Sequence, residues 1–360
     1  MGVTVLDVSN PYDPQTLNRH PTDGEITDII IDWPLIYAAA GPDGVTVITY
    51  DIPGNSFTQI TNIPAPAGEE VTYLAMKTAG TTGAWDYLYA AARTAGVMII
   101  DISDETNIFQ VGTIPFSGTA SLGSYHVHYL EDWDQLAIAQ YEDGVIAYDL
   151  TSPVSPTFAF TIAPGLNKSN RVGSDDSGNL WVSDVNGQID AWDISSGSPL
   201  LQGAHNWGWN TYREVIPFET NALVAGGYGG MQILNWSDPN SVYEETWVKS
   251  AGFNMHNTPG TDFFVMSNLN ELAIFNTPAE LVIIGTYYLS GCETTHSHHR
   301  VPRDAEEPGG CDVVPTALQC DVERLSGRDS AALTDLEVHI GTPVVEPVRL
   351  TGLQILAASL

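Results

Sequence analysis

Lysine is almost missing from this chain: Lys77, Lys168 and Lys249 are the only three in 360 residues. Lys and Arg together number 12 against 44 acids, a net charge of −32. A nucleic-acid binder needs clustered cations to neutralise phosphates, so that class is excluded, and anionic membranes are disfavoured partners. No run of about 18 apolar residues exists, so no transmembrane segment is expected. Cysteine is confined to Cys292, Cys311 and Cys320, so residues 1–290 fold without disulfides. Helix-period stretches of useful length are missing too, which removes α-solenoids and βαβ folds.

What is present is repetition. Gly2-Val-Thr-Val-Leu-Asp7 returns at Gly44–Thr49, Gly96–Asp101 and Gly144–Asp149. A copy one residue longer runs from Gly187 to Asp193, and Gly230–Asn235 and Glu271–Asn276 complete seven. Their starts are 41 to 52 residues apart. The glycine suits a turn where φ is positive, and the β-branched run suits a strand buried on both faces. The closing Asp or Asn, with Ser or Thr two residues on in most copies, can bond the backbone and turn the chain. Each copy is preceded by an apolar stretch such as Leu35–Ala40 or Tyr87–Ala92, and by a further one upstream of that. Four short strands per unit of this length is the period of a β-propeller blade. The expected fold is an all-β, seven-bladed propeller of four-stranded blades.

The Gly-Val-x-Val-Leu-Asp-Val-Ser-x-Pro pattern, intact at Gly2–Pro11, resembles the LVIVD repeat. The resemblance covers residues 1 to about 290. It implies a β-propeller, commonly seven-bladed, in secreted or surface-attached bacterial and archaeal proteins, and no single activity. Thr49 in place of Asp and Glu271 in place of Gly depart from the pattern.

Two regions follow: an LVIVD-like propeller over 1–290 and a Cys-containing linker and tail over 291–360. The first copy supplies two strands of its blade. Residues 330–360 are expected to return and close the ring, with Val348–Leu356 the better candidate because it is the most apolar stretch of the tail. Met1–Asp7 reads as a strand, so no export signal is expected within this sequence. The expected location is extracellular or at the cell surface.

Aligning the first strand of each unit places Asp28, Tyr73, His126, Arg171, Arg213 and His256 at one polar position, expected at the channel mouth. LVIVD-like propellers often carry histidine there, which supports the alignment. Arginines there can hold a carboxylate or sulfate, and a histidine or Tyr73 can move a proton. A cationic ring in so acidic a protein would draw anions in. The competing reading is structural, with these residues bonding backbone groups around the channel.

His126 and His128, two apart on a strand, point to one face. With His256 they are the candidate metal ligands, against two unrelated hydrogen-bonding histidines. Surface carboxylates make calcium or another divalent cation the cofactor class to consider.

Two functions stand side by side. One is a non-catalytic module binding a protein or polysaccharide outside the cell. The other is a lyase or hydrolase acting on an anionic saccharide, with Arg171 and Arg213 as clamps and Tyr73, His126 and His256 as acid–base groups.

Overall fold

The computed structural model describes residues 2–7, 15–22, 24–78, 85–162, 168–174, 178–206, 214–218, 221–225, 231–238, 241–248, 254–257, 264–267, 271–275, 283–288 and 353–358. Strand follows strand. Sheet I begins with β1 (Gly2–Asp7) and β2 (Gln15–Pro21). Sheet II holds β3 (Asp28–Asp32), β4 (Leu35–Ala39), β5 (Val45–Asp51) and β6 (Ser56–Ile63). Sheet III holds β7 (Tyr73–Thr78), β8 (Trp85–Ala91), β9 (Val97–Asp101) and β10 (Phe109–Ile114). Sheet IV holds β11 (His126–Leu130), β12 (Gln135–Ala139), β13 (Val145–Asp149) and β14 (Thr157–Ile162). Sheet V holds β15 (Ser169–Ser174), β16 (Asn179–Asp184), β17 (Gln188–Asp193) and β18 (Leu200–Asn206). Sheet VI holds β19 (Glu214–Phe218), β20 (Asn221–Ala225), β21 (Met231–Asn235) and β22 (Tyr243–Val248). Sheet VII holds β23 (Asn254–Asn257), β24 (Phe264–Ser267), β25 (Glu271–Phe275) and β26 (Ile283–Tyr288), and β27 (Leu353–Ala358) comes last.

Sheets II to VII are four-stranded antiparallel meanders, and sheet I has the order β2-β1-β27. β27 pairs antiparallel with β1 along its whole length, from Gly2 opposite Ala358 to Asp7 opposite Leu353. Successive first strands lie against one another: β3 on β7, β7 on β11, β11 on β15, β15 on β19 and β19 on β23. One edge of every sheet therefore faces a common axis, as in a β-propeller. Among the described residues no helix is long and apolar enough to cross a membrane.

The repeat explains the blades locally. Gly44 and Gly96 have φ of +92° and +97°, and a Cβ on either would sit about 2 Å from the carbonyl oxygen of Ile63 or Ile114. Only glycine passes under the end of the fourth strand there. At the other end, Asp101 Oδ1 accepts from both the N–H and the hydroxyl of Ser103, at 3.0 and 2.6 Å. Asp149 with Thr151, Asp193 with Ser195 and Asn235 with Ser237 make the same pair of bonds. Where Thr49 replaces the acid, the strand runs on to Asp51, whose carboxylate takes the Gly54 N–H.

Every third–fourth strand pair also carries one bulge at the same place, such as Val5/Leu6, Val47/Ile48, Ala147/Tyr148 and Ala191/Trp192. The extra residue bends and twists the outer strand as the sheet widens away from the axis. Hydrophobic clusters fill the gaps between successive sheets, with Leu74, Met76, Leu88 and Met98 of sheet III among those facing Tyr37 and Val47 of sheet II. Alanines such as Ala39, Ala90, Ala91 and Ala139 lie fully buried towards one end of the second strands, and their size allows close approach. Burying each large aliphatic side chain contributes roughly 1.5–3 kcal/mol.

Candidate functional site

The strand pairings fix the register of the polar position. Asp28, Tyr73, His126 and Arg171 face Ala39, Ala91, Ala139 and Ser183 on their second strands. Those four partners face Val45, Val97, Val145 and Ile189, each four residues before the closing residue of its copy. The same rule in sheet VI selects Glu214, opposite Ala225 and Met231. In sheet VII it selects Asn254, opposite Ser267 and Leu272. Arg213 and His256 are not the residues this rule selects. Arg213 precedes Glu214 and lies outside the described residues. His256 faces Val265 and falls level with His128, which faces Ala137. Period-two alternation turns a one-residue slip to the other face, while a two-residue slip keeps the face and moves along the strand. Among the described side chains the position carries Asp28, Tyr73, His126 and Arg171.

Four of the residues converge. The Arg171 guanidinium lies 3.7 Å from the Tyr73 ring centroid and 5.9 Å from that of Tyr125. Tyr73 also stacks at a tilt on His126, centroids 4.7 Å apart. Arg171, Tyr73 and His126 are only 3, 7 and 7% exposed. Asp28 faces the charge of Arg171, and its Oδ2 accepts the Leu74 N–H of the next sheet at 2.9 Å while Oδ1 accepts that of Ile29. Burial pushes Asp28 up to about 6, against the pull of those N–H groups and of Arg171. His126 Nδ1 accepts the Val172 N–H of the next sheet at 3.4 Å, and burial, then Arg171 and His128, hold it well below 6.5. His128 Nε2 bonds Ser174 Oγ at 2.9 Å, and burial lowers it to about 4. Both histidines are thereby neutral and engaged with sheet V. Among the described residues no group of three or more His, Cys, Asp or Glu is placed to hold a metal ion. The His256 side chain and Cys292, Cys311 and Cys320 lie outside what is described.

One residue upstream, hydroxyls tie the same sheets. Thr27 Oγ1 donates to the Thr72 carbonyl at 2.8 Å, and Thr72 Oγ1 to the Tyr125 carbonyl at 2.6 Å. Isolated bridges join Gly41 to Val71, Arg93 to Ser124 and Tyr141 to Ser169. The turn residues in these bridges are left-handed, with φ of 56°, 51° and 54°.

The second feature is what happens to the scarce cations, which sequence reading missed. Of the five Lys and Arg among the described residues, four stand over tyrosine. Besides Arg171, Arg93 lies 4.8 Å from the Tyr125 ring, Lys168 5.2 Å from Tyr141 and Lys77 5.5 Å from Tyr129. The same groups meet acids: Arg93 pairs with Glu70, Lys77 with Asp134 and Lys168 with Glu142. Each contact of this kind contributes roughly 0.5–2 kcal/mol, most where water is excluded.

Beside Arg93 the surface opens into a cleft of about 540 Å³, bounded by Pro42, the 65–70 connection, Arg93 and Leu122. It draws on the turns and connections of sheets II to IV at the end where Tyr73 and His126 begin their strands.

Solved structures similar to this chain share its architecture at low identity. A periplasmic gluconolactonase of Pseudomonas aeruginosa aligns at TM-score 0.60 and 14% identity, over 81% of this chain and 96% of its own. A Bacteroides fragilis protein described as a proposed 6-phosphogluconolactonase aligns at 0.62 and 11%, over 80 and 98%. The Cps50 (Swd1) β-propeller domain of Myceliophteria thermophila aligns at 0.56 and 15%, over 75 and 88%. At such identity the likeness shows the fold alone. Comparison with curated proteins finds no match. The family model of the LVIVD repeat matches residues 85–114, the second and third strands of sheet III with the fourth that follows, and the chain is a β-propeller that carries this repeat.

Proposed function

We propose that this protein is a seven-bladed propeller, closed by β27 on β1, that acts outside the cell as a non-catalytic binding module. The observation that carries the binding reading is the state of the channel cluster. Arg171 covers the face of Tyr73 and is 3% exposed, while Asp28 and His126 spend acceptor atoms on the backbone of the neighbouring sheet. A general acid or base must reach its substrate within hydrogen-bond distance, and this packing leaves little room for one. Among the described residues a cleft opens to the surface beside Arg93. Seven sheets with equivalent bulges support the blade number. The LVIVD repeat supports an external location, which cell fractionation with an antibody to the chain checks.

The test of binding without turnover is retention on immobilised extracellular polymers and peptides, with the ligand recovered and weighed by mass spectrometry. Wild type and Arg171→Gln are expected to release ligand of unchanged mass. A product of altered mass that disappears in Arg171→Gln would refute the reading and restore the hydrolase or lyase alternative.

A further inference from the structure

Sheet I has three strands among the described residues, in the order β2-β1-β27. β1 carries the repeat that forms the third strand of every other sheet, so β27 is a second strand and the innermost place beside it is open. In sheets II, III and IV that edge is marked by an alanine. The carbonyls of Ala39, Ala91 and Ala139 accept the N–H one residue before the polar position, from Thr27, Thr72 and Tyr125 at 3.0, 2.9 and 2.9 Å. Each alanine lies opposite the third-strand valine four residues before the closing residue. In sheet I that valine is Val3, and it lies opposite Ala357. Ala357 therefore aims its backbone groups off the open edge.

Sheet II shows the same gap from the other side. Leu74 and Met76, one and three residues after Tyr73, pack into the cluster shared with sheet II and are 5 and 6% exposed. Their equivalents after Asp28 are Ile29 and Ile31. Ile29 is only half-buried, against the cluster that holds Val3 and Val5 of sheet I. Ile31 shares its face by alternation and is 44% exposed. β7 has the first strand β3 beside it, whereas among the described residues β3 has no first strand of sheet I beside it.

Register selects the occupant. The chain between β26 and β27 is residues 289–352. In sheets II and VI two residues join the first strand to the second, after Asp32 opposite Leu35 and Phe218 opposite Asn221. The same hairpin before Leu353 has the turn Thr351-Gly352, with glycine free to take positive φ. It sets Leu350 opposite Leu353, Val348 opposite Ile355 and Glu346 opposite Ala357. Glu346-Pro-Val-Arg-Leu350 then follows Glu214-Val-Ile-Pro-Phe218 in its acid and its two apolar places. Proline gives an independent check. Residues flanking a two-residue turn exchange both ladder bonds, and every second residue then points its N–H away from the partner strand. Pro217, one residue before the flanking Phe218, is such a residue. Pro347 falls in the same alternate set and costs no ladder bond. A slip of one residue would put Pro347 into the ladder and move Val348 and Leu350 to the face away from sheet II.

We infer that residues 346–350 of this chain form the innermost strand of sheet I, paired antiparallel with β27, with Val348 and Leu350 on the face towards Ile31. The inference rests on the seven-sheet reading above, in which β27 lies on β1.

Amide hydrogen exchange in the full chain, read residue by residue by NMR, tests it. The N–H groups of Gln354 and Leu356 point to β1, and those of Ile355 and Ala357 to the open edge. All four are expected to be protected, Ile355 and Ala357 by at least about tenfold over an unpaired amide. Protection of Gln354 and Leu356 alone would overturn the inference and leave the β1 pairing standing; loss at all four would overturn both. Val348→Pro removes a ladder donor and is expected to expose Ile355 and Ala357 and lower the melting temperature. Arg349→Pro, at the place of Pro217, is expected to leave both close to wild type. Equal effects of the two prolines would overturn the register. Protection at Ile355 and Ala357 that falls on dilution would mean that a second copy supplies the strand. Protection that survives deletion of residues 341–350 would mean that another segment does. Either result overturns the inference, and the proline pair decides should the deletion fail to fold.

Discussion

Replacing Asp28 by Asn is the sharpest probe of the channel cluster. The folded carboxyl titrates at about 6 and the unfolded one near 3.8. Between those values the folded chain holds the extra proton, so the contribution of Asp28 to stability falls as pH rises through this window. Above pH 6 the full cost of the buried carboxylate is present. The separation of about two pH units corresponds to roughly 3 kcal/mol. Asn keeps one acceptor for either the Leu74 or the Ile29 N–H and turns a donor towards the other, which returns about 1–2 kcal/mol of the gain. Asp28→Asn is therefore expected to be more stable than wild type at pH 7.5, by about 1–2 kcal/mol, and less stable near pH 4. Urea unfolding at several pH values gives the difference curve, in which Asp190, also raised to about 6 by burial, cancels. Curves that stay parallel across pH 4 to 7.5 would refute the argument, because Asp28 would then titrate alike in both states.

His126 and His128 carry the opposite sign: the unfolded chain binds protons near 6.5 that the folded chain refuses. Wild type should lose stability as pH falls from 6.5 towards 4, and His126→Gln/His128→Gln should flatten that limb in the same urea series. Gly96→Ala places a Cβ against the Ile114 carbonyl at positive φ. It should destabilise by more than about 1 kcal/mol, read as a fall in melting temperature, whereas Gly68→Ala, with open space around its Cβ, should cost less. Truncation after residue 349 removes β27 and bares the β1 edge. Lower melting and self-association in size-exclusion chromatography are expected; a monomer with unchanged melting would mean that β27 does not close the ring.

The strands were legible because a blade's middle strands are covered on both faces, so the β-branched runs stand out from the turns. The closing Asp was legible because its bond to a hydroxyl two residues on is local, as at Asp101 and Ser103. Register was harder to read. The physical marker of the polar position is the small residue opposite: Ala39, Ala91, Ala139, Ser183, Ala225 and Ser267. That marker is in the sequence, but it gains meaning only through the pairing. The Arg171–Tyr73 contact was beyond reach, since it joins sheets V and III across sheet IV and depends on the curvature with which sheets pack.

The side-chain and bridge bonds at the boundaries of sheets II to V bear on how the chain could be rewired. Thr27 to Thr72, Thr72 to Tyr125 and His126 to Val172 each join a sheet to its successor without using the covalent connection between them. The peptide linkage across such a boundary is then not what aligns the two sheets. Circular permutants opened in the 117–119 connection, where Ser117 and Thr119 are exposed, with the native ends joined by a flexible linker, should refold to the same blade contacts.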